Sequence, residues 1–189
     1  MVNSEPPVGT KRKRPASLRL HDNPAGIDPQ QIVGKTLRRI QRGSSHPNLT
    51  LHFDDDSSYQ VKIEGYRPGS GGLSKELEVD ASLDSVLDPS GTTQLNNVVL
   101  DCAFIRLRDK AFERHDSDAS RDSQWDQSHL GLAFKLEGMP NRWYTVWATM
   151  VDRDEDGECK LLSYDDVFLS ESAPRRFIRH GRKKSVQKG

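Results

Sequence analysis

The chain has few of the residues that most often announce chemistry. Its 189 residues include two cysteines, Cys102 and Cys159. That is too few for a disulfide framework and fits a reducing, intracellular compartment. No stretch approaches the roughly 18 apolar residues that a membrane-crossing helix needs, so no membrane span is expected. The opening MVNSEPPVGTKRKRP lacks the apolar segment of a secretory leader. Hydrophobic residues make up 33% of the chain, against a usual share of about 45–50%. The deficit is concentrated in residues 1–26, 113–128 and 170–189. What remains, about 120 residues, supports one modest core.

Familiar catalytic and metal spacings are missing too. The six histidines form no H-x-H or H-E-x-x-H pattern and the cysteines no C-x-x-C, so no metal and no cofactor is expected. There is no G-x-S-x-G elbow, and Gly69-Ser70-Gly71-Gly72 lacks the G-K-[ST] ending of a phosphate loop. Cys102 sits in an apolar run and reads as a small inert hydrophobe. Asp152-Arg153-Asp154-Glu155-Asp156-Gly157 opens like a calcium loop. It then offers Glu158 at position seven and Ser163 at position twelve, where a bidentate Glu is required. An acidic hairpin turn explains those residues better. These absences point away from an enzyme.

What is present is charge, and it is laid out in blocks. Lys/Arg and Asp/Glu balance at 28 each. Residues 1–20 nevertheless hold five cations and one acid, and residues 174–189 hold seven cations and no acid. The body between them carries 16 cations and 27 acids, a net of about −11. The arms cannot bury enough surface to offset the entropy of ordering, so they are expected to be disordered.

Within the body, period-two alternation marks strands at 49–53 and 59–63, joined by the turn-forming Asp54-Asp55-Asp56-Ser57-Ser58. A weaker strand is expected at 35–41. A strand at 98–107 is apolar on both faces apart from Asp101, which implies a central, doubly covered position. Further strands are expected at 130–136 and 143–151, with short runs at 159–163 and 166–169. Asp28 followed by Pro29 opens a short helix, and Leu83, Val86 and Leu87 suggest a second helical turn. Residues 64–97 otherwise read as irregular, and 113–128 as a charged loop.

The expected fold is mainly β, a β-rich α+β domain. It is a single antiparallel barrel or sandwich of six to eight strands with one or two short helices. The domain spans 27–169, between basic tails at 1–26 and 170–189.

Three groups of residues stand out for function. Lys11, Arg12, Lys13 and Arg14, followed by Pro15, suit the acidic groove of a nuclear-import receptor, giving a nuclear or nucleocytoplasmic expectation. Arg175, Arg176, Arg179, Arg182, Lys183 and Lys184, interleaved with Phe177 and Ile178, suit an acidic protein surface or nucleic acid. Trp143, Thr145 and Trp147 share one side of a strand and form a candidate ligand-binding face, with Asp101 as a polar handle that needs a partner such as Arg106, Arg142 or a tyrosine. Two readings follow. One is a non-catalytic interaction module with basic arms. The other is a small-molecule-binding or catalytic barrel with a Trp-lined pocket.

Overall fold

The computed structural model describes residues 26–69, 72–115 and 119–172. The first described element sits at the capping signal. The Asp28 carboxylate accepts the Gln30 N–H at 2.9 Å, Pro29 takes the first helical position, and a turn of 3-10 helix covers Pro29–Ile32. Ile32 is fully buried, so this turn plugs the core.

Among the described residues nine antiparallel strands follow: β1 Thr36–Arg42, β2 Asn48–Phe53, β3 Ser58–Ile63, β4 Ser74–Val79, β5 Thr92–Glu113, β6 Ser123–Leu136, β7 Tyr144–Arg153, β8 Cys159–Asp165 and β9 Val167–Glu171. A short helix, α1, covers Ala81–Asp84. The sheet runs in the order β4-β7-β6-β5-β1-β2-β3-β9, and β8 pairs with both β5 and β7 off that path. It is barrel-like or sandwich-like, mainly β as the alternation implies.

Alternation fixes what faces inward. In β3, Tyr59, Val61 and Ile63 are buried, and in β2 Leu49, Leu51 and Phe53. They join Leu132, Phe134, Tyr144, Val146 and Ala148 from β6 and β7 in one core. Burying a side chain such as Phe134 contributes about 1.5–3 kcal/mol.

Four features depart from the sequence reading. β4 lies inside 64–97. It shows only Leu77 and Val79 to the core between Lys75, Glu76 and Glu78, a weak signal of the kind edge strands give. The charged loop is shorter than 113–128, because 123–128 pairs residue for residue with 108–113 as the outer half of the β5–β6 hairpin. Its polar side chains hid a ladder that backbone groups hold together. β9 runs to Glu171, and Ser172 N–H donates to the Ser58 carbonyl at 2.7 Å, so the domain exceeds 169. At the other end, Ile27 N–H donates to the Leu169 carbonyl at 2.8 Å. A Cβ on Gly26 would lie 2.1 Å from that carbonyl oxygen, so only glycine fits there. The remaining residues of both basic arms lie outside those described.

The fourth departure is in β5. The pairing of β5 with β6 slips between Val99 and Asp101. This bulge leaves Val99 and Cys102 both buried and turns Leu100 and Asp101 outward together. The regular alternation read through 98–107 is therefore broken at Leu100, which is 53% exposed. Asp101 is half-buried on the outside rather than enclosed.

Candidate functional site

β7 has two sides. Tyr144, Val146 and Ala148 enter the core, so Thr145 and Trp147 point the other way, each half-buried. Trp143, just before the strand, is 39% exposed. The Lys135 ammonium stands 4.7 Å above its ring, a cation–π contact. Lys135 pairs in register with Asp101, Thr145 pairs with Ala133, Ala133 with Ala103, and Trp147 with Glu78. Trp143, Thr145, Trp147 and Asp101 thus come together on one face, the outer face of β4, β7, β6 and β5. That face turns away from the main core.

Asp80, at the end of β4, fixes its middle. One carboxylate oxygen caps α1 through the N–H groups of Ser82 (2.8 Å) and Leu83 (3.0 Å), while the other accepts the Thr145 N–H. The floor is built of small residues: Ala133 and Gly131 are buried and Ala103 half-buried. A Cβ on Gly131 would meet Leu107 Cδ1 at 2.9 Å, so Leu107 lies over it.

The charge of this face is lopsided. Glu78 sits beside Trp147, Glu76 pairs with Thr149, and Asp101 lies next to Leu100 at the bulge. None of these three carboxylates has an ion-pair partner among the described residues. Asp101 therefore has neither Arg106, Arg142 nor a tyrosine as a side-chain partner among the described residues, because the bulge moved it into solvent reach.

A second cluster lies under β8. β5 pairs β6, β6 pairs β7, β7 pairs β8 and β8 pairs β5, a closed circuit in which β6 and β8 face each other. Gln127 bridges them. Its amide donates to the Tyr164 carbonyl at 2.7 Å, and its oxygen accepts Ser163 Oγ at 2.8 Å and Tyr164 N–H at 3.2 Å. His129 stacks on Tyr164 at 4.6 Å, and its Nε2–H donates to Asp109 at 2.9 Å. Burial and the Asp109 charge push the Tyr164 phenol up.

An imidazole–carboxylate pair suggests a base, but the arrangement does not serve one. The His129 side chain is fully buried, and Ser163 Oγ donates to Gln127 instead of to the imidazole. The cluster sews β8 onto the hairpin. Sequence reading missed it because Gln127 lies inside the supposed loop and His129 just after it; their alternation with Gly131 and Ala133 was the available signal.

Other candidates resolve plainly. Burial raises the Cys102 thiol to about 12, with the Asp101 and Asp28 charges adding to it, so it holds no ready thiolate. The 152–158 segment is a hairpin turn, with Asp154 accepting the Glu158 N–H at 2.8 Å and pairing with Lys160 at 3.0 Å. A shallow surface depression of about 460 Å³ lies at Arg42, Gly43, Ser44, Asp84, Leu87 and Ser90, without either tryptophan. Lys11, Arg12, Lys13 and Arg14 and the C-terminal cations lie outside the described residues.

No family model, curated protein or solved structure matches this chain.

Proposed function

We propose that the chain is a non-catalytic interaction module, nuclear or nucleocytoplasmic, that binds a protein partner on the Trp143/Trp147 face of its folded domain. The basic arms supply localisation through Lys11–Arg14 and electrostatic contact through the C-terminal cations. One observation carries this reading: large apolar side chains, Leu100 and Trp143, stand exposed on the same outer face as the half-buried Trp147. Aromatic anchors of this kind dominate protein interfaces. A small-molecule barrel would instead turn the Trp side of β7 inward, where Tyr144 and Val146 already fill the space.

The test separates arms from domain. Replacing Lys11, Arg12, Lys13 and Arg14 together by Ala in a fluorescent fusion is expected to abolish nuclear enrichment. Trp143→Ala is expected to keep localisation and folding while changing the set of neighbours found by proximity labelling. An unaltered distribution for the first variant, together with unaltered neighbours for the second, contradicts the proposal.

A further inference from the structure

Trp143, just before β7, and Trp147 within it lie four residues apart, roughly 13 Å at about 3.3 Å per residue if the chain is extended. Four residues of an extended peptide cover that span. The groups around it ask for a particular occupant. Aromatic faces attract cations within about 6 Å, and here Lys135 already occupies such a position over Trp143. Glu78 is the cross-strand neighbour of Trp147, Glu76 follows one pleat on, and Asp101 stands beside the exposed Leu100. These carboxylates have no ion-pair partners among the described residues. A polyanion would meet like charge on this face. A neutral apolar partner would leave three carboxylates partly desolvated and uncompensated.

We infer that the outer face of β4, β7, β6 and β5 docks a Lys/Arg-rich extended segment of a second protein. Its cations lie against Trp147 with Glu78 and Glu76 and against Asp101, and its apolar side chains sit on the exposed Leu100 and Trp143. This rests on the reading of the domain as an interaction module and names the chemistry of its partner.

The full-length chain is titrated into a fluorescein-labelled peptide, Arg-Ala-Lys-Leu repeated three times, and into its Glu-Ala-Asp-Leu counterpart, with anisotropy as the readout. The cationic peptide is expected to bind and the acidic one not. The combined Glu76→Gln, Glu78→Gln and Asp101→Asn variant should weaken binding at least about threefold, since each exposed pair is worth a modest amount. Trp143→Ala should weaken it independently, and thermal melts confirm that both variants fold.

Equal affinity in the triple variant and the wild type overturns the inference. Trp143-dependent binding of the acidic peptide also overturns it, while leaving the interaction-module reading intact. If neither peptide shows Trp143-dependent binding, both fall. If the cationic peptide binds only after deletion of residues 173–189, the occupant is the chain's own arm, and a second protein is ruled out.

Discussion

Among single residues, Cys102 shows how burial silences chemistry. Its thiol lies in the core beside Val99 and Phe134, and desolvation raises it to about 12. At pH 8 its thiolate fraction is on the order of one part in ten thousand. Cys159 sits half-buried at the start of β8, its thiol donating to the Leu161 carbonyl at 3.3 Å. In the native chain, a thiol-specific chromogenic disulfide should therefore modify one cysteine readily, and the second only as urea unfolds the domain. Cys159→Ser should remove the fast phase and Cys102→Ser should spare it. Two fast phases in the native protein would mean that β5 opens at the bulge. The same residue scale explains the error over Asp101. Its neighbours are apolar, and a strict period of two buries it. One extra residue in the ladder reverses that placement, and no local composition cue marks where a bulge falls.

Among elements, the Asp80 carboxylate joins α1 to β7, accepting the Ser82, Leu83 and Thr145 N–H groups. Loss of an N-cap typically costs about 0.5–2 kcal/mol, and an orphaned buried N–H adds about 1 kcal/mol or more. Asp80→Ala is therefore expected to lower the unfolding free energy by about 1–3 kcal/mol in urea titrations. It should also shift the emission of Trp147, two residues beyond the freed Thr145 N–H. Asp80→Asn retains one acceptor oxygen and should lose less. A loss no greater than that of an ordinary exposed substitution would show that α1 is held by Leu83 alone.

The elements also show how much could be read in advance. In β2 and β3 one face supplies the large buried side chains, and in β6 and β7 Leu132, Phe134, Leu136, Tyr144, Val146 and Ala148 alternate as regularly with smaller or polar residues, while the turns after β2 and β6 carry Asp and Gly. β4 and the outer half of the β5–β6 hairpin are stabilised by backbone pairing and by partners distant in sequence, as Gln127 is by Tyr164. Their own side chains give no such pattern. The Trp143, Thr145 and Trp147 side of β7 was legible from spacing. Its companions Glu76, Glu78, Leu100 and Lys135 were not, because register brings them there.

For the whole molecule, the question is which electrostatic effect governs stability in acid. The anionic body repels itself at neutral pH, and protonation relieves that. At 0.15 M salt, however, charges more than about 8 Å apart are largely screened, so close contacts decide. Lys35 bonds Asp55, and Ser57 adds to the effect, lowering that carboxyl from 3.8 to about 2. Asp88 is lowered by the Ser90 hydroxyl and the Thr92 N–H, and Asp154 by Lys160. A depressed carboxyl binds fewer protons folded than unfolded. Its stabilisation is complete above its unfolded value near 3.8 and is lost as the pH falls through its folded one. The urea midpoint should hence stay level from pH 7 to about 5 and drop between about 4 and 2. Lys35→Met removes the main cause at Asp55 and should make that acid limb shallower, whereas a remote exposed lysine changed to Met should not. An acid limb of the same slope in Lys35→Met and wild type would mean that the ordinary carboxyls of the body, rather than these three turn contacts, set the response to acid.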